Sequence, residues 1–136
     1  ELVTVGQQIK ESVLGRIANG HAFSFMGNAK WRIGQKVIHV RFCSSPKSGA
    51  IFPYNINKNT LTADFELWIC RDADTFYLFP SQIMRDIYED PDAYVDRHHP
   101  DIRVAEVDTQ VHRLLFGKGG KSFDASPYFR SVLQDS

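Results

Sequence analysis

Apolar positions along the first twenty residues fall at helical spacing. Val5, Ile9, Val13, Leu14 and Ile17 recur every three or four residues. Thr4 stands three residues before Gln7 in the pattern of a capping box, and Asn19-Gly20 supplies a stop. The spacing therefore predicts a helix over about 5–18. Beyond it the period shortens to two. Ala22–Met26 reads as a short strand, and Val37–Cys43 alternates cleanly. Ile38, Val40 and Phe42 fall on one face of that strand, and Val37, His39, Arg41 and Cys43 on the other. The loop Ser44–Gly49 ends it, and Ile51–Ile56 resumes extended structure. Pro53, which has no N–H to give a ladder, marks that segment as an edge or a bulge.

Asn57–Thr60 is turn chemistry. Phe65–Cys70 and Thr75–Pro80 flank Arg71-Asp72-Ala73-Asp74 as a hairpin. Ser81 is placed to cap a helix carrying Ile83, Met84, Ile87 and Tyr88, which ends near Glu89 because Asp90 precedes Pro91. Ile102–Val107 and Val111–Phe116 are late strands, and Ser126-Pro127 opens a short final helix. The order of elements implies an α+β or mixed α/β fold, with a central mixed sheet flanked by helices. No repeat, low-complexity tract or linker divides the chain, so the expectation is one domain over 1–136.

Composition narrows the class. The 136 residues are 43% hydrophobic and 24% charged, ordinary for a globular domain. No apolar run approaches the roughly 20 residues of a membrane span. Two cysteines, Cys43 and Cys70, make no disulfide framework, and a reducing, cytoplasmic compartment is the expectation.

The net charge of +0 conceals a division. Residues 1–62 hold eight Lys and Arg against Glu1 and Glu11, and the remainder holds eight against fourteen acids. Gathered on one face, the first set would attract a polyanion; intermixed with the second, it would cancel. Lys30, Arg32, Lys36, Ser45 and Lys47 are the side chains suited to phosphates of DNA. Trp31, Phe52 and Tyr54 interleave with them and offer rings either to bases or to the core. His39 and Arg41, two apart on an otherwise apolar strand, read either as the solvated side of an edge strand or as part of a site.

The run His39-Val40-Arg41, followed by Phe52-Pro53-Tyr54-Asn55-Ile56, Asp64-Phe65 and Tyr77-Leu78-Phe79-Pro80, resembles the PD-(D/E)XK, or restriction-endonuclease-like, superfamily over about residues 5–80. That resemblance implies a restriction-endonuclease-like core acting on DNA with Mg²⁺. It puts His39 where the family has Glu or Gln and Arg41 where it has Lys, with Glu11 on the first helix as a further carboxylate. Imidazole is a poor Mg²⁺ ligand and a guanidinium does not serve as a base. No Asp precedes Asp64. The implied protein is thus a DNA-binding member with a degenerate metal site, serving within a larger restriction or repair assembly. An active Mg²⁺-dependent endonuclease is the alternative, and Asp64 and Glu66, i and i+2 on one strand, are its fallback metal pair.

Three other features carry less chemistry. Asp96-Arg97-His98-His99-Pro100-Asp101 lacks the four-residue spacing that converges two imidazoles on zinc and reads as a solvated loop. Gly117-Lys118-Gly119-Gly120-Lys121-Ser122 has Leu115 where a P-loop needs its first glycine, and reads as a turn. The acids Glu89, Asp90, Asp92, Asp96 and Asp101 suit a protein-interaction surface for a basic partner.

Overall fold

The structure is a computed structural model that describes residues 3–134. It contains two α-helices and nine strands among those residues: α1 (Val5–Ile17), β1 (Phe23–Gly27), β2 (Lys30–Ile33), β3 (Lys36–Cys43), β4 (Ile51–Ile56), β5 (Phe65–Cys70), β6 (Phe76–Pro80), α2 (Ser81–Glu89), β7 (Arg103–Asp108), β8 (Arg113–Gly117) and β9 (Lys121–Asp124). Short 3₁₀ turns occupy Thr60–Thr62, Lys118–Gly120 and Ser126–Tyr128.

The strands form two sheets. A five-stranded sheet runs β1-β2-β3-β5-β6, and a four-stranded sheet runs β4-β7-β8-β9. All neighbours are antiparallel except β3 and β5, which are parallel. The chain reaches that parallel pairing by leaving the first sheet after β3, making β4 in the second, and returning as β5.

Alternation along β3 decides which layer lies where. Ile38 and Val40 join Leu67, Ile69, Phe76 and Leu78 in a core closed by Val13, Leu14 and Ile17 of α1. The opposite face contributes Trp68, Cys70, Tyr77 and Phe79 to a second core, closed by Phe52, Tyr54, Ile56, Ala105, Val107 and Leu114 of the other sheet. Met84 and Ile87 of α2 enter that same second core. The layers are helix, sheet, sheet.

This corrects the expected fold class. The protein is a small β-rich fold, not a restriction-endonuclease-like core whose central sheet is flanked by helices. α1 covers one face; on the other, Phe52, Tyr54 and Ile56 alternate inward from β4 and share the core with Met84 and Ile87 of α2.

Several local expectations hold. The Thr4 side chain accepts from the Gln7 N–H at 3.1 Å. β4 is the edge of its sheet, where Pro53 costs no ladder bond. The β5–β6 hairpin closes as expected, with Asp72 Oδ1 accepting from the Asp74 N–H and the Thr75 hydroxyl. Ser81 differs: it begins α2 with Pro80 at the cap position, and its buried Oγ has no partner. The 27–36 segment differs more. It forms a hairpin between β1 and β2 that the pattern left unassigned, turning on Asn28 and Ala29 at φ 54° and 62°. Positive φ at both central residues is the twist that suits a two-residue hairpin.

Candidate nucleic-acid interface

The register of the five-stranded sheet fixes which side chains share a face. Lys30 stands opposite His39, and His39 stands opposite Glu66; Ser24 stands opposite Arg32, and Arg32 opposite Val37. Lys30, Arg32, His39 and Arg41 therefore lie on one face of the sheet. His39 and Arg41 do project from the same side.

Their environments then diverge. His39 is 1% exposed and Glu66 0%. His39 Nδ1 lies 2.7 Å from Glu66 Oε1, and the Trp68 indole N–H donates to Glu66 Oε2 at 2.9 Å. The Trp68 ring is stacked on Tyr54 with centroids 4.4 Å apart and meets Phe79 edge-on. Burial pushes the Glu66 carboxyl above its ordinary range, while the His39 hydrogen bond and charge, the Trp68 N–H and the Arg41 charge pull it back. All three residues belong to the five-stranded sheet, so the trio ties β3 to β5, and its members satisfy one another where an unpaired carboxylate would be costly.

Arg41, one step along β3, is only half-buried, and it feels Glu66 as charge. It donates no hydrogen bond within the described residues, and neither do Arg32 and Lys58. Lys30 bonds its Nζ to the Thr62 hydroxyl. Arg32, Lys30 and Arg41 thus follow one another at steps of roughly 6–7 Å along the strands. Lys58 adjoins them, because its neighbour Asn59 donates to the Asn28 carbonyl at the hairpin tip at 3.0 Å. From residue 12 to residue 63 the chain has no Asp or Glu, and the exposed carboxylate beside the ridge is that of Asp64, bonded to the Val37 N–H.

The remaining expected residues do not converge here. Glu11 lies on α1, which covers the opposite face of the sheet, so the layer of β-structure separates it from His39 and Arg41. Lys36 begins β3 and Ser45 lies two residues beyond its far end, so the length of the strand separates them. Lys47 pairs with Glu106 at 3.0 Å across to the second sheet. Phe52 and Tyr54 are core residues, while Trp31 is part-exposed.

The metal readings meet a donor set already in use. Both Glu66 oxygens are engaged by His39 and Trp68, and Asp64 Oδ2 accepts from the Val37 N–H at 2.8 Å, clipping β3 beside β5. Among the described residues no group of three or more His, Cys, Asp or Glu is placed to hold a metal ion. These residues do not fit a Mg²⁺ centre, which asks for several free oxygens around one point.

Two of the five acids named for a basic partner, Asp90 and Asp92, are ion-paired. Lys121 holds Asp90 at 2.8 Å and Asp92 at 3.2 Å, which keeps the Asp90 carboxyl below its ordinary range. Asp96 accepts from the N–H groups of His98 and His99. The glycine-rich run is structural too: a Cβ on Gly117 would sit 2.8 Å from the Asp92 carbonyl oxygen.

Lys58 and the uncovered β1–β2 hairpin are what the sequence reading missed in this region; the signal that marks both is the unbroken stretch without acids. No protein-family model matches the chain, and neither does any curated protein or solved structure. No helix among the described residues is long and apolar enough to cross a membrane.

Proposed function

We propose that this protein binds nucleic acid through the phosphate backbone, using the cationic ridge of β2 and β3, and performs no phosphodiester hydrolysis there. One observation supports the reading: Arg32 and Arg41 share a sheet face with Lys30, and their guanidinium groups donate no hydrogen bond among the described residues. Cations held this way are available to phosphates, and each phosphate neutralised releases counterions. The buried His39–Glu66–Trp68 trio stiffens the floor beneath them. Cleavage is left out because Glu11 lies behind the sheet and Glu66 is fully engaged. DNA, alone or within a larger restriction or repair assembly, is the ligand this reading favours.

The test is fluorescence anisotropy with a labelled 20-base-pair duplex over a series of salt concentrations. The logarithm of affinity should fall linearly with the logarithm of salt. Replacing both Arg32 and Arg41 by Ala should flatten that slope by about 2 and weaken binding at least tenfold. Lys121→Ala, which removes a cation already held by Asp90 and Asp92, should change neither. A slope untouched by the double substitution refutes the assignment. Nicking of supercoiled DNA with Mg²⁺ that Arg41→Ala abolishes would replace binding with hydrolysis.

A further inference from the structure

The hairpin that carries Arg32 has a second open face. Phe25 stands opposite Trp31, and Trp31 opposite Ile38, so these rings lie on the α1 side of the sheet, away from the cations. β1 is an edge strand that α1 meets at Phe23, and Phe25, two residues on, remains 61% exposed, resting on Trp31 with centroids 5.1 Å apart. The two rings floor a cleft of about 660 Å³ that runs to the start of α1, together with Trp31's neighbours Val40 and Phe42. Val5, 72% exposed, stands at the same end of α1.

The rim of the cleft is polar and cationic. Thr4, Gln7 and Lys10 line it, and the Lys10 ammonium has no partner among the described residues. A floor of exposed aromatic rings beneath a lone cation is how proteins hold unpaired bases: the ring takes the π-face, and the ammonium takes the phosphate. An apolar helix of a protein partner would leave Lys10 buried without a counter-charge. On the other side of the same hairpin, Arg32 is already assigned to phosphates.

Resting on the backbone-binding reading above, we propose that the cleft between α1 and the β1–β2 hairpin docks an unpaired nucleobase on Phe25 and Trp31. The preferred ligand is then a nucleic acid with single-stranded character, its strand wrapping the hairpin edge from Arg32 to Lys10. A fully paired duplex engages the cationic face alone.

Intrinsic fluorescence reads this directly, because the chain has two tryptophans and Trp68 is wholly buried, leaving Trp31 as the reporter. Binding of a twelve-residue thymidine oligonucleotide should quench Trp31 emission, and the 20-base-pair duplex should not. Phe25→Ala, at an exposed ring that the core does not need, should weaken the oligonucleotide about tenfold and the duplex less than twofold. Arg32→Ala should weaken both. If the duplex binds and the oligonucleotide neither quenches nor responds to Phe25→Ala, the base-docking inference fails and the cationic ridge stands. Failure of both ligands to bind ends both. Trp31 emission that changes with protein concentration alone, without nucleic acid, gives the cleft to a second copy of this chain and also overturns the inference.

Discussion

The two sides of this protein treat their charges differently. On the β1–β3 side, the guanidinium groups of Arg32 and Arg41 have no hydrogen-bond partner among the described residues. On the β7–β9 side, Lys121 is clamped between Asp90 and Asp92, and Arg113 donates to the Ser122 hydroxyl. The overall charge of +0 therefore describes neither side. What distinguishes them is pairing, which follows from topology. The acid-free stretch folds into an edge of the larger sheet, and the acid-rich remainder folds back on its own lysine. A polyanion is attracted to the first side and repelled by the net acidic second side, and both effects are screened beyond about a Debye length.

The polar trio His39, Glu66 and Trp68 is buried where the first sheet meets the second. Removing its centre has the largest expected effect of the changes that follow. Glu66→Ala leaves the Trp68 N–H and His39 without their shared partner at the inter-sheet core, and should cost about 3–5 kcal/mol. Against a total stability of about 5–15 kcal/mol that is a severe loss. Urea denaturation measures it. A loss below about 1 kcal/mol would show that the trio does not brace β3 against β5, and that the ridge beside it has no rigid support.

Glu66→Gln sharpens the point by keeping the shape. An amide can accept from Trp68 and donate to His39, so it imitates the protonated acid. Burial raises the Glu66 carboxyl in the folded chain above its ordinary value of 4.5. Below that value folded and unfolded chains both hold the proton, and the contribution to stability is complete. Above it the unfolded chain releases the proton first, so stability falls as pH rises, by up to about 1.4 kcal/mol per unit, until the folded form also ionises. Urea midpoints from pH 5 to 8 should therefore decline more steeply for the wild type than for Glu66→Gln. Parallel profiles would mean that Glu66 does not titrate in this window.

How much of this was legible before folding depended on distance along the chain. Alternation in 37–43 placed His39 and Arg41 on one face, and that held. The same alternation says nothing about what covers the face, and burial against Trp68 turned His39 from an exposed ligand into a strut. Glu66 was read as a metal carboxylate because its hydrogen-bond partners come from β3 and from its own strand two residues on, and only the β3–β5 pairing brings them together. Glu11 was misplaced for the opposite reason: helical periodicity gave α1 correctly and left open which side of the sheet it would cover. Pairings made through β4, in the other sheet, leave no mark in any local window.

The β1–β2 hairpin was missed for a different physical cause, and that cause supplies the mildest test. Two-residue turns with positive φ announce themselves as Asn-Gly, but this one is built on Asn28 and Ala29. Asn accepts φ 54° readily; Ala at 62° is strained by its Cβ, at about 1–2 kcal/mol. The strain persists because the tip is held elsewhere, with the Val40 N–H donating to the Ala29 carbonyl at 2.8 Å and Asn59 to that of Asn28. Ala29→Gly should release the strain and lose about 0.4–1 kcal/mol to the freer unfolded chain, for a net gain of about 0.5–1 kcal/mol. Calorimetry should show Tm rising by about 2–4 °C. Duplex affinity should be unchanged, because no cation moves. A lower Tm would mean that the tip does not hold this turn, and that Arg32 and Phe25 are not fixed back to back on one hairpin.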